Sequence, residues 1–375
     1  MKITSVRALH SGKAVYVKVE TDVGIDGFGE ATNFTPRAVV GMVEEVAPYL
    51  VGEDPRRIEH LWQETFRRLF ARGGPVTGSA VAGIDIALWD IKGKFLDTPV
   101  YELLGGLARD KVRLYSHVKG YTAEEIAANA RDLVQRGVTA IRYRGFHDSD
   151  EIGVHDHQRA VDQQVAYTAA IREAVGDDVE LIVECHGRYD PPFAIQLAQR
   201  LQDLHPLYIE DPIRHENPAA LAHVRDHSPV PLATGERAHS KWDFRELVTD
   251  GLVQYLRPDI CWSGGFTEMR KIAALAEVYY LNLVPHNTQG VIGTAASLHA
   301  SLALSNVTLL EAPWAGHERE AAGLGPWPRV EDGYAFPIPG AGLGVYVEEG
   351  ALPERLNARR SVPILRGRDG SVRDW

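Results

Sequence analysis

The hydrophobic pattern of the chain changes period near residues 35 and 105. VYVKVET (15–21) and GIDGFGEA (24–31) alternate apolar and polar positions and predict antiparallel strands. Helical stretches follow over 37–50, 55–71 and 76–96. In the last of these, Ala80, Ile84, Ala87, Leu88, Ile91 and Phe95 fall on one stripe, while Asp85, Asp90, Lys92 and Lys94 lie off it. That spacing predicts a helix with a single core face. Together these elements make an α+β unit over residues 1–111.

Past Gly105-Gly106 the rhythm becomes short apolar runs separated by helical stretches: VRLYSHV, AIRYR, ELIVEC, PLYIED, PLATGE, LVQYLRPD, LNLVPH and VTLLEA. Eight such strands with seven helices between them, in the 201 residues 112–312, predict an α/β domain built as a closed parallel barrel. The segment GLGPWPRVEDGYAFPIPGAGLG is too rich in turn residues for a further long helix, so residues 313–375 are expected to return to the N-terminal unit.

Composition narrows the function. With 375 residues, 45% apolar and 24% charged, the chain suffices for two full cores and is neither disordered nor collagen-like. Lys plus Arg number 40 against 51 Asp plus Glu, a net charge of −11, which disfavours nucleic acid and anionic membranes as partners. Cys185 and Cys261 lie in apolar stretches, as buried thiols of a reducing, cytoplasmic compartment do. MKITSVRALHSG lacks the apolar core of a signal peptide. The one long stretch free of Asp, Glu, Lys and Arg, 278–310, is interrupted by Pro285, His286, Asn287 and Gln289, so no membrane span is expected.

The chemistry sits where the strands end. Glu184 closes LIVE, Glu210 closes YIE and Glu236 closes LATGE, each 26 residues from the next, one βα unit apart. Barrel strands converge at one mouth, so three carboxylates would meet there and repel unless a cation lies between them. A single glutamate would read as a solvated loop start; three in phase read as a site for Mg²⁺, with Mn²⁺ as a substitute. Asp259, His286 and Glu311 close the next three runs. Neighbouring Asp259 and His286 suit a dyad in which the carboxylate orients the imidazole as general base. His186 follows Glu184 by two residues, on the same strand face, and suits the opposing acid.

Other polar residues divide between function and plain structure. Arg142 and Arg144 share one face of AIRYR and suit a grip on a carboxylate or hydroxyl, or equally a structural ion pair. His117 and Lys119 end the first barrel strand and are balanced in the same way. His147, His155 and His157 look like a metal box but lack the strand phasing, and read as loop and helix-start residues.

VECHGR, YIEDP, TGERAHSKWDF, LRPDICWSGGFTEMRKIAALAE, LVPHNTQG and ARGGPVTGSAVAGIDIALWDIKGK resemble, in order and spacing, stretches of the enolase superfamily. Specifically, the chain is similar to acid-sugar dehydratases of the mandelate racemase-like branch, galactonate dehydratases above all; LYSH and AIR are also similar to mannonate dehydratases. The resemblance implies an α+β capping domain over a (β/α)₇β barrel. It also implies Mg²⁺ on Glu184, Glu210 and Glu236, a His286–Asp259 base, His186 as acid and Glu311 as partner of the substrate carboxylate or enolate. Asn33, Phe34 and the Arg72-Gly73-Gly74 turn become specificity candidates, and a homo-oligomer is expected.

Three departures stand out. Glu184 replaces the usual Asp, one methylene longer. Arg142 and Arg144 replace the Lys-x-Lys pair of the racemases, which disfavours two-base racemisation. GFHDSDEIGVHDH lacks the tyrosine of the mannonate enzymes, and a neutral residue is usual near Arg144 in the galactonate ones. The expected reaction is dehydration of an aldonate to a 2-keto-3-deoxy acid through an enediolate. The alternatives are acid-sugar epimerisation or cycloisomerisation, and a catalytically weak paralogue that binds a metabolite.

Overall fold

The computed structural model of the chain describes residues 1–11, 14–145, 156–313, 323–352 and 365–373. The N-terminal sheet has three antiparallel strands, β1 (Ile3–Ser11), β2 (Ala14–Thr21) and β3 (Gly27–Glu30), in that order. The alternation in VYVKVET and GFGE accounts for β2 and β3. The edge strand β1, paired with β2 along its length, was not foreseen.

Helices α1 (Pro36–Val46) and α3 (Gly74–Phe95) cover the sheet, α2 (Ile58–Arg68) packs on α3, and a short α4 (Val100–Leu103) leads out. The single stripe expected for α3 is corrected by the structure. Every residue from 77 to 91 is buried, Asp85 and Asp90 included, whereas Phe95 at the end of the stripe is 43% exposed. The reason is position: α3 packs on β3 and β2, on α1 and on a barrel helix at once, so no long face of it meets water. Its buried acids find partners. Asp90 accepts from Phe28 N and Leu343 N and pairs with Lys94; Asp85 accepts from Thr267 N at 3.0 Å.

The barrel strands are β4 (Val112–His117), β5 (Ala140–Arg144), β6 (Glu180–Glu184), β7 (Tyr208–Glu210), β8 (Leu232–Thr234), β9 (Tyr255–Leu256), β10 (Asn282–Leu283) and β11 (Leu310–Glu311). Neighbours from β4 to β10 pair in parallel, Leu283 bridges Val307, and β11 pairs with β4, which closes the cylinder. Between the strands run α5 (Ala123–Gln135), α6 (His157–Val175), α7 (Pro191–Leu201), α8 (Pro218–His227), α9 (Lys241–Thr249), α10 (Gly265–Val278) and α11 (Val291–Ala303). Thr122, Asp156 and Asn217 cap α5, α6 and α8 by accepting from the third amide beyond. Inside, Tyr115, Ala140, Ile182, Tyr208, Ala233, Val284 and Leu309 form one apolar layer that plugs the cylinder below its mouth.

Six short strands follow in the described part of the tail; the last two, β16 (Leu365–Arg366) and β17 (Val372–Arg373), pair with each other. β12 (Leu324–Gly325) pairs with β15 (Tyr346–Val347), and β13 (Val330–Glu331) with β14 (Tyr334–Ala335), which also adds to β4. In the same segment Gly342 exchanges backbone bonds with Thr98 and Val100, and Glu349 pairs with Lys18 and Arg7. Among the described residues no helix is long and apolar enough to cross a membrane.

Asp85 offers a test of the packing between α3 and α10. Burial pushes its carboxyl up to about 7, against the bonds from Thr267. The unfolded value is about 4, so between about pH 4 and 7 the folded state binds more protons than the unfolded one. Stability therefore falls as pH rises through that window. Asp85→Asn, whose amide oxygen still accepts from Thr267, is expected to flatten this slope and raise the urea midpoint above pH 7. Equal shifts at pH 4 and pH 8 would contradict the assignment.

Candidate functional site

The parallel register sets the first two carboxylates side by side, with Glu184 directly opposite Glu210 across β6 and β7. Glu236 lies two residues past the end of β8, and Asp259 and His286 lie three past β9 and β10, where they form a bridge of their own. The sequence placed these residues as strand closers; three of them sit in the first residues of the loops instead, still at the same mouth.

Among the described residues, Glu184, Glu210 and Glu236 form the one group suited to a metal, with an oxygen from each within 4.8 Å of the others, all three buried. Mg–O bonds of about 2.1 Å set oxygens about 3.0–4.2 Å apart, a span that small side-chain rotations of three glutamates reach. Glu236 Oε2 is buried without a hydrogen-bond partner. An all-oxygen, triply anionic set of this kind fits a hard divalent cation.

Two buried arginines already offset part of this charge. Arg142 contacts Glu184 and lies 3.2 Å from Glu210 Oε2. Arg257, fully buried, sets Nε 2.6 Å from Glu210 Oε1, without an aligned N–H, and donates from Nη2 to Glu311 Oε2 at 2.7 Å and from Nη1 to Tyr115 Oη at 2.6 Å. It forms the floor of the site on the apolar plug. Arg257 was overlooked in the sequence; its place two residues before Asp259 in LRPD was the available signal. Burial raises the Glu210 carboxyl, and Arg142 and Arg257 pull against it. For Glu236 burial acts the same way, but His286 and Arg237 outweigh it and lower the group.

The expected dyad is formed. His286 Nδ1 lies 2.6 Å from Asp259 Oδ2, which also accepts from Gln289 Nε2 at 2.7 Å, while Cys261 N holds Oδ1 at 2.7 Å. His286 Nε2 faces the cavity 3.5 Å from Glu236 Oε2. Burial lowers this imidazole, but the charges of Glu311, Glu236 and Asp259 override it and push it up to about 9. His186 stands at the other end of the row, Nε2 3.6 Å from Glu184 Oε2. Burial, then Arg142, Arg144 and Arg237, hold it well below the usual histidine range. The two imidazoles thus flank the carboxylate row, one beside Glu184 and one beside Glu236.

Glu311 is fully buried and accepts from Arg257 and from Asn287 N, with His117 Nε2 2.6 Å from its other oxygen. Burial raises it, but His286, Arg257 and His117 together hold it well below the carboxylate range. His117 is pushed down to about 4 by burial and Arg142.

A cavity of about 600 Å³ opens over these groups, within the range of small-molecule sites. His117, Arg142, Arg144, His186, Glu236 and His286 line its base; Lys119 joins them at the exposed rim. The capping domain contributes Asn33, Phe34, Thr35 and Pro75. Asn33 is committed to its own domain, donating to Pro75 O and Ser79 Oγ and accepting from Thr35 N. Arg72 does not join them: it is exposed, and its guanidinium turns back to Leu69 O and Arg67 O at the end of α2. His215, Arg237, His239 and Trp262 also line the cavity and were missed, because they lie in loops without strand phasing. His157 starts α6, stacks on Phe193 and faces Asp190, away from the cavity lining; His147 and His155 lie outside the described residues.

Comparison with known proteins agrees with this architecture. Residues 2–105 match the mandelate racemase / muconate lactonizing enzyme N-terminal domain, and residues 125–351 the enolase C-terminal domain-like family. Curated relatives named D-galactonate dehydratase, from Ralstonia pickettii and Pectobacterium atrosepticum, are 41% and 39% identical, each over 100% of both chains. Among solved structures, an enolase from Pantoea ananatis with bound D-gluconate and Mg superposes with a TM-score of 0.91 at 30% identity, covering 99% of each chain. A member of the enolase superfamily from Salmonella Typhimurium gives 0.88 at 32%, over 93% of this chain and 97% of that one. With both domains matched and full-length relatives above 30% identity, the chain belongs to the mandelate racemase / muconate lactonizing enzyme family of the enolase superfamily.

Proposed function

We propose that the protein is a Mg²⁺-dependent acid-sugar dehydratase, a hydro-lyase that converts an aldonate such as galactonate into a 2-keto-3-deoxy acid. The observation that carries this reading is the convergence of Glu184, Glu210 and Glu236 between two imidazoles that flank them. The curated relatives' name and the gluconate bound to a structural neighbour support the substrate class.

A proton beside a carboxylate is scarcely acidic, since its removal places a second negative charge next to the first. Mg²⁺ held by Glu184, Glu210 and Glu236 supplies two positive charges against that build-up. Over this row, His286 Nε2, whose own proton the carboxylates would hold less tightly once a cation offsets their charge, takes the C2 proton while Asp259 and Gln289 hold its ring in place. His186, protonated once the incoming anion offsets the arginines around it, donates that proton to the departing C3 hydroxyl on the opposite side, which leaves as water. Arg257 and His117 keep Glu311 ionised and oriented toward the reacting end, and Arg142 and Arg144 bind the substrate's oxygens. Phe34 and Asn33 bound the far end from the capping domain. In this reading the chain divides into a capping domain (1–111), a barrel (112–312) and a returning segment (313–375), and works in the cytoplasm as a homo-oligomer.

A screen of acid sugars with Mg²⁺, read by 2-keto acid formation, is expected to give turnover that EDTA abolishes and Mg²⁺ restores. Product that retains all its oxygen and carries solvent deuterium only at C2 would replace dehydration by epimerisation. His286→Asn is expected to lower kcat by about 10²–10⁴-fold and to stop C2 exchange in D₂O while Mn²⁺ still binds. Glu210→Gln should instead lose Mn²⁺ affinity by electron paramagnetic resonance titration, and a fully active, metal-independent variant would refute the metal site.

A further inference from the structure

Glu30 ends β3 of the capping domain and is fully buried, yet its carboxylate reaches the barrel. Oε1 accepts from Gly290 N at 2.9 Å and from the Thr32 hydroxyl at 2.8 Å; Oε2 accepts from Gly293 N at 2.8 Å. Both amides belong to the N-terminus of α11, where first-turn N–H groups lack helical partners and the helix dipole favours an anion. The partner of this helix end is therefore already present, and it comes from the other domain.

The helix end continues directly from the catalytic segment. Gln289 is the residue before Gly290, and its amide holds the same Asp259 oxygen that binds His286 Nδ1. On the other flank, Thr32 O accepts from Trp262 Nε1 at 2.5 Å, and the Trp262 ring lies 4.9 Å from that of His286. A Cβ at Gly290 would come 2.7 Å from Tyr16 Oη and 3.1 Å from Glu30, so the close approach requires glycine. Residues 30–32 of the capping domain thus grip both sides of the base.

We propose that Glu30 is a positioning residue for proton abstraction: by clamping the start of α11 it sets the Gln289–Asp259–His286 geometry. The capping domain is then part of the base assembly as well as a cover over the substrate. The inference rests on the reading of His286 as the base.

The test uses the full chain and two perturbations from opposite sides. Glu30→Gln turns an amide group toward one of the two N–H donors, and Gly290→Ala pushes the intact carboxylate away. Each is expected to lower kcat by about 10–100-fold, with KM within about threefold of wild type, since a small misplacement of a reacting group has that cost. Mn²⁺ affinity should be retained, C2 exchange in D₂O should fall with kcat, and the Nδ1 proton resonance of His286 should move. Combined with Gln289→Ala, Glu30→Gln should add no further loss beyond the more severe single variant, because both act through one linkage. Unchanged kcat and His286 resonance, multiplicative losses in the double variant, or loss of Mn²⁺ binding in proportion to kcat would each overturn the proposal. A wild-type protein inert toward every aldonate would instead refute the dehydratase reading, and the His286 resonance would still decide the role of Glu30.

Discussion

The interaction on which the rest depends is the mutual compensation of buried charge at the barrel mouth. Glu184, Glu210, Asp259 and Glu311 are fully buried and Glu236 nearly so, and the guanidinium groups that touch them belong chiefly to Arg142 and Arg257. Carboxylates removed from water repel strongly, and each requires a cation or aligned donors. Arg257 serves two at once, joining Glu210 on one side of the barrel to Glu311 on the other, while its Nη1 rests on Tyr115 Oη. The residual negative charge lies along the row from Glu184 to Glu236, an arrangement that fits a divalent cation.

The same electrostatics give the two imidazoles different characters. His286 is surrounded by carboxylates and is raised despite burial; His186 is surrounded by arginines and is lowered in addition to burial. Their positions at opposite ends of one row make the site asymmetric. Such asymmetry needs rigid support. The apolar plug supplies it from below, and the capping domain supplies it from above through Glu30, Thr32 and the buried α3.

Much of this was legible in the chain. The change of hydrophobic period located most elements of both domains, β1 excepted, and the even spacing of Glu184, Glu210 and Glu236 carried their convergence, because a parallel barrel turns equal sequence intervals into one spatial point. The dyad of Asp259 and His286 followed by the same rule. Less visible were features whose partners are remote. Asp85 and Asp90 look like solvent-face residues of α3 until a barrel helix and the tail close over them. Arg72 and Asn33 look equally suited to a substrate, and only packing turns one outward and ties the other to Ser79.

The sequence by itself therefore determined most of the strands and helices, the phase of the acids around the barrel mouth and the chemical types gathered there, since these depend on local periodicity. The tertiary structure alone decided which arginine neutralises which acid, which imidazole is raised and which lowered, and that a capping-domain glutamate holds the start of the helix that follows His286. Those outcomes depend on distance and burial between residues far apart in the chain, down to the 260 residues that separate Glu30 from Gly290, and no local pattern encodes them.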